Sequence, residues 1–128
     1  RFKERHAHIQ QQLQELPFEF FWGTDKLQMD IAEINAAGVY DEMKAKHLNR
    51  QGKAMSEGEI ACSLSHLGLY KMMVENAWQR ILIFEDDVAP DLDKLHLIPA
   101  TLNELPADWE FVYFGYLKHE KVTTALSR

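Results

Sequence analysis

Arg80-Ile81-Leu82-Ile83-Phe84-Glu85-Asp86-Asp87 is the stretch that decides the reading of this chain. Its consecutive apolar residues predict a strand buried on both faces, as in a parallel sheet. The strand ends abruptly in three acids. In open α/β sheets, ligands bind beyond the carboxyl ends of the strands, so these acids are a candidate site. In an extended chain Glu85 and Asp87 point to one side and Asp86 to the other. Two carboxylates on one side make a hard oxygen site suited to Mg²⁺ or Mn²⁺. Like charges this close cost free energy unless a cation or hydrogen-bond donors compensate. The bland alternative is a solvated turn whose Asp side chains cap the next segment.

Upstream, Ser56-Glu57-Gly58-Glu59 carries the pattern of a capping box and predicts a helix from Ser56 to about Asn76. Ile60, Leu64, Leu67 and Val74 form one apolar stripe, and Cys62, His66, Tyr70 and Met73 a second beside it. So wide an apolar arc predicts a well-buried helix. At the start of the chain, Phe2, Ile9, Leu13 and Leu16 mark one face of a helix over residues 1–16, which Pro17 stops. Phe18 to Trp22 is a short β-prone aromatic run closed by Gly23. Residues 24–38 read either way, with Met29, Ile31 and Ile34 half-buried, and residues 39–55 read as a partly helical surface excursion.

Downstream, Asp91 to Leu105 has helical tendency interrupted by Pro99, Trp109 to Gly115 reads as a third strand, and residues 116–128 are polar. Helices interleaved with buried strands predict an α/β layered fold. Three strands are few for such a sheet, so residues 1–128 read as a single partial domain.

The bulk properties narrow the function. With 128 residues, 46% hydrophobic and 27% charged, the composition is globular. A net charge of −6, with scattered basic residues, argues against nucleic acid as a partner. Cys62 is the single cysteine, which excludes an intrachain disulfide and points to a reducing, cytoplasmic compartment. No apolar run approaches the ~20 residues of a membrane helix. No signal peptide is visible, and a start at Arg1, already reading as helix, suggests residues in front of it.

Gly58-Glu59-Ile60-Ala61-Cys62-Ser63-Leu64-Ser65-His66, then a helix, then Ile81 to Asp87, resembles the signature of glycosyltransferase family 25. This family includes lipooligosaccharide galactosyltransferases and is similar to the collagen galactosyltransferases. Arg1 to Leu13, Phe18 to Asp25 and Trp109 to Gly115 resemble further segments of it more loosely. Lys26 stands where the family usually has Gly after the aspartate, which weakens any role for Asp25.

The resemblance implies the Rossmann-like, nucleotide-binding half of a GT-A-type enzyme, incomplete at both ends. It implies an inverting transfer of a hexose, galactose first, from a UDP-sugar to an oligosaccharide acceptor, with a divalent metal (Mn²⁺ or Mg²⁺). It makes Asp87 the direct metal ligand, with Glu85 reaching the metal through water or holding the ribose, and Asp86 supporting one of these roles. Ser65 and His66 become donor-binding candidates, although a His on an apolar helix face is more often a hydrogen-bonded core residue. Cys62 reads as small packing, since no cation flanks it. Arg5 and His8 could face the nucleotide, but a solvated helix face accounts for both. The general base falls outside this chain; Glu120, the one acid after Gly115, has nothing to recommend it. A lipid-linked acceptor implies peripheral contact with the inner membrane, and the oligomeric state is left open.

Three other readings compete. A truncated remnant would bind a nucleotide or a partner without turnover. A receiver-like phosphoacceptor module shares the acidic strand end, but its later strand ending in a lone Asp is missing here. A haloacid-dehalogenase-type phosphatase needs Asp-x-Asp-Gly-Thr, and Val88-Ala89-Pro90 stands there instead.

Overall fold

The longest element, α4 (Glu57–Glu75), starts where the capping box places it. Ser56 Oγ accepts from the Glu59 amide, and the Glu59 carboxylate accepts from the Ser56 amide at 2.7 Å. These bonds hold the Glu59 carboxyl below its usual range, the Ser56 backbone amide first and its hydroxyl second. At the other end Trp78 N–H donates to Met73 C=O and Ala77 N–H to Val74 C=O, which is a Schellman closure. The left-handed position of that motif is occupied by Ala77, at φ 53°, where glycine is the unstrained residue.

The computed structural model, which describes residues 2–14 and 16–115, forms one unit up to Val88 and a second from Ala89 onward. In the first unit α1 (Phe2–Gln12) is followed by the aromatic run, a 3-10 turn (Lys26–Gln28), α2 (Ile31–Ala36), α3 (Glu42–Leu48) and α4. Asp25, Asp30 and Asp41 each cap the element that follows through the side-chain carboxylate. The 3-10 turn packs against α4. In the second unit a 3-10 stretch (Leu92–Leu97) runs directly into α5 (Ile98–Asn103). Pro99 sits in the first turn of α5, where its missing amide costs nothing, so it starts a helix rather than breaking one.

The expected α/β, Rossmann-like layering is not what the chain forms. The described residues contain helices and 3-10 turns and no strand. Phe18–Trp22, Arg80–Phe84 and Trp109–Gly115, all read as strands, carry no ladder. A strand exists through backbone pairing with a neighbour, and an apolar run announces burial without naming that neighbour.

The aromatic run shows what replaces the ladder. His6 of α1 stacks on Phe20 at 3.8 Å between ring centroids and on Trp22 at 5.9 Å. The odd-numbered residues meet α4 instead. A Cβ added at Gly68 would lie 2.9 Å from the Phe21 ring, and one at Gly23 would lie 2.6 Å from Ser65 Oγ. The alternation of an extended chain survives, with helices on its two sides in place of strands at its edges.

Burial is also shallower than expected. The buried hydrophobic residues are Ile9 and Leu13, at and just after α1, and Ile60 and Ala61 in the first turns of α4. Further along α4, Leu67 and Val74 are exposed, contrary to the deep burial that the double stripe suggests. Ile81, Ile83 and Phe84 are half-buried while Leu82 faces solvent, so no residue of the apolar run is fully buried.

Ser56→Ala is expected to lower stability by about 1 kcal/mol, read by denaturant unfolding. The lowered Glu59 carboxyl predicts that the stabilisation from its own bonds to Ser56 is present above the unfolded-state pKa and lost as pH falls through the folded one. The acid-side loss of α4 helicity should therefore be shallower in Glu59→Gln. Ala77→Gly relieves the left-handed position and should raise stability by roughly 1 kcal/mol, read as a higher unfolding midpoint.

Candidate functional site

The three carboxylates stand on a turn, closed by Val88 N–H donating to Glu85 C=O at 3.1 Å. An extended chain would send Glu85 and Asp87 to one side. The turn instead fans the three side chains apart. Glu85 goes to α4, where its Oε1 lies 2.9 Å from His66 Nε2. Asp86 goes to α1, where its Oδ1 accepts from Arg5 Nη1 at 2.5 Å. Asp87 makes no hydrogen bond or ion pair among the described residues and is exposed.

Each anchor has a second contact. On α4, Tyr70 Oη lies 3.4 Å from His66 Nδ1. A neutral ring that serves both partners carries its proton on Nε2 toward Glu85 and accepts the Tyr70 hydroxyl at Nδ1. On α1, His8 Nε2 approaches the Val88 carbonyl at 3.4 Å. The Arg5 guanidinium has its pKa raised by the hydrogen bond to Asp86, then by the charges of Asp86 and, more weakly, Asp87. Asp87 is therefore near enough to Arg5 for its charge to be felt. The Arg5 and Asp86 side chains are 36% and 51% exposed, so this pair positions the turn more than it stabilises the fold.

Ser65 faces away from the acids. Its hydroxyl donates to Ala61 C=O and accepts from the Thr24 amide, both at 2.8 Å, and so fastens the Gly23-Thr24 segment to α4. Cys62, one helical turn before His66, is drawn into the group. Its sulfur, a His66 ring nitrogen and a Glu85 carboxylate oxygen lie within 4.8 Å of one another. Partial burial pushes the Cys62 thiol pKa up, and the Glu85 charge adds to this. Both effects favour the protonated thiol.

Glu85, Asp86 and His66 thus share one region with Arg5 and Tyr70 as partners. Arg5 is read more naturally from sequence as a solvated helix residue and Tyr70 as part of an apolar stripe. The signal for Tyr70 was the helical spacing of Cys62, His66 and Tyr70, which puts all three on one face; Arg5 had no such signal. Glu120 lies outside the described residues. No described helix is long and apolar enough to cross a membrane.

Comparison with known proteins gives a consistent picture. The profile described as glycosyltransferase family 25 (LPS biosynthesis protein) matches residues 1–127. A Haemophilus influenzae protein named "Putative glycosyltransferase" is 39% identical over 89 residues, covering 67% of this chain and 29% of that protein. Human procollagen galactosyltransferase 2 is 30% identical over 66 residues, covering 49% of this chain and 10% of its own length. The human protein named inactive glycosyltransferase 25 family member 3 is 28% identical over 67 residues, covering 50% and 11%. The chain thus spans less than a third of each of these relatives. No solved structure matches it.

Because the Glu85 charge helps to raise the Cys62 thiol, Glu85→Gln should speed alkylation of Cys62 at neutral pH and shift its rate profile toward lower pH. Mass spectrometry of iodoacetamide labelling across a pH series measures both.

Proposed function

This chain belongs to glycosyltransferase family 25, and we propose that the protein transfers a hexose, galactose first among them, from a UDP-sugar to a saccharide acceptor with inversion. The observation that carries this reading is the fanned acidic turn: among the described residues Asp87 makes no hydrogen bond or ion pair, while its two neighbours are held by α1 and α4. The fanned turn presents Asp87 as its carboxylate donor for a hard cation. Asp87 offers both oxygens, and the second oxygens Glu85 Oε2 and Asp86 Oδ2 enter none of the contacts described above. An all-oxygen set of this kind suits Mn²⁺ or Mg²⁺.

Asp87 would hold the ion directly, with Glu85 meeting it through water or holding the ribose. The ion, when bound, offsets the negative charge that builds on the diphosphate. The chain's own residues do the rest. Arg5, turned toward the acids by Asp86, supplies positive charge to a diphosphate that an acidic protein would otherwise repel. His66 holds the Glu85 carboxylate in place from α4, and Ser65 keeps the Gly23-Thr24 segment against that helix. In the reaction the acceptor hydroxyl attacks the anomeric carbon, the bond from that carbon to the phosphate oxygen breaks, and UDP departs with the electron pair. A carboxylate base elsewhere in the protein takes the hydroxyl proton.

The galactose assignment is supported by relatives named procollagen galactosyltransferases. The family's description as LPS biosynthesis protein favours a lipid-linked oligosaccharide acceptor. Contact with the inner membrane would then run through that acceptor, from the cytoplasmic side. A second reading is favoured by the relative named inactive: a chain that binds the nucleotide and transfers nothing.

Calorimetric titration of UDP into the protein, with Mn²⁺ and then with EDTA, tests the site. Binding is expected to need the metal, to vanish in Asp87→Ala, and to weaken roughly tenfold in Arg5→Ala, the scale of one charge-assisted hydrogen bond. Metal-independent UDP binding unaffected by Asp87→Ala would overturn the donor-site assignment. Metal-dependent binding without release of UDP from a UDP-hexose in the presence of acceptor would support the non-catalytic reading.

A further inference from the structure

The cluster on the α4 side of the acidic turn has a chemistry different from the turn itself. Cys62 and His66 are four residues apart on α4, so they project from the same face one turn apart. Glu85 arrives from a different part of the chain, nineteen positions after His66, with its Oε1 2.9 Å from Nε2. The three donor atoms lie within 4.8 Å of one another. Ligand atoms around a tetrahedral ion bound at ~2.0–2.3 Å sit about 3.3–3.8 Å apart, so closing the cluster on an ion takes about an ångström of side-chain movement. From these donors we propose that Cys62, His66 and Glu85 form a binding site for Zn²⁺, with water completing the coordination.

The ligand types select the metal. A sulfur, an imidazole nitrogen and one carboxylate oxygen are a borderline-soft set that suits Zn²⁺ and poorly suits Mg²⁺ or Mn²⁺. The ring is oriented for the task. With the ring proton moved to Nδ1 and donated to Tyr70 Oη, Nε2, the nitrogen that already faces Glu85, has its lone pair available as the ligand. Access is open, because Cys62 and Glu85 are exposed and His66 is half-buried. Three protein ligands leave one position for water, the pattern of sites that are not purely structural. Bound there, Zn²⁺ replaces a single hydrogen bond between α4 and the acidic turn with metal bonds to both. It takes Glu85 from the acidic turn and leaves Asp87 outside the site, so this site and the donor site share Glu85 and are told apart at Asp87 and at Cys62.

Co²⁺ replaces Zn²⁺ with the same geometry and reports on a thiolate ligand through a near-ultraviolet sulfur-to-metal charge-transfer band. The intact protein, stripped with chelator, is titrated with Co²⁺, which is then displaced by Zn²⁺. One equivalent of Co²⁺ should raise the charge-transfer band, with visible absorption of tetrahedral strength. One equivalent of Zn²⁺ should abolish both, and Mn²⁺ in excess should abolish neither. Cys62→Ser should remove the band, and His66→Gln should weaken Zn²⁺ binding at least ~10-fold. Circular dichroism confirms that α4 persists in each variant. Asp87→Ala should leave the cobalt spectrum unchanged while removing Mn²⁺-dependent UDP binding, which separates this site from the donor site. Co²⁺ binding without a charge-transfer band, or Zn²⁺ binding as tight in Cys62→Ser and His66→Gln as in the unaltered protein, would overturn the proposal.

Discussion

The division of one acidic turn between two helices is the constraint on which the first unit depends. Three adjacent carboxylates repel one another, and the chain relieves that repulsion by giving each a different environment. Glu85 is held by His66 of α4, Asp86 by Arg5 of α1, and Asp87 is left to solvent. The two anchoring contacts bridge 19 and 81 positions of sequence. With few buried side chains in the described residues, such polar contacts position α1 and α4 around the turn to a degree that packing does not.

That arrangement also decides what the site can do. Fixing two carboxylates through partners lowers the freedom of the turn and so the cost of ordering it around a ligand. The same helix, α4, then serves two kinds of chemistry from neighbouring residues. Ser65 has committed its hydroxyl to a carbonyl and an amide and acts as a clasp for the Gly23-Thr24 segment. His66, the next residue, points instead at the acids. One step of 100° around the axis separates the residue that fastens the Gly23-Thr24 segment from the one that meets the acidic turn.

Local chemistry was legible in the sequence wherever it depended on residues close together. The capping box at Ser56 and Glu59, the extent of α4 and the presence of a first helix all follow from patterns a few residues long, although that helix ends at Gln12 and not at the residue before Pro17. The gathering of Glu85, Asp86 and His66 was legible through the family signature rather than through their spacing. The sheet was not, because Ile81 to Phe84 records how apolar a segment is and says nothing about which backbone lies beside it. The same blindness hid Arg5, since a surface arginine becomes a site residue only through a partner far away in sequence. The alternation inferred for Glu85, Asp86 and Asp87 failed for a further reason: the turn begins at Glu85 itself, so the period of two no longer applies.

The capping box makes α4 a ruler. Because its first residue is pinned by a reciprocal pair of bonds, the axial and angular position of every later side chain is set by counting from Ser56. Cys62, Ser65 and His66 all lie within three turns of that origin. A residue added or removed between Ser56 and His66 would rotate the sulfur, the clasp and the imidazole by about 100° and slide them by about 1.5 Å relative to the cap. The surface excursion of residues 39–55 lies on the other side of the origin, so its length can change while the ruler stays in place. In this chain the boundary between tolerated and forbidden changes of length is drawn at a single serine.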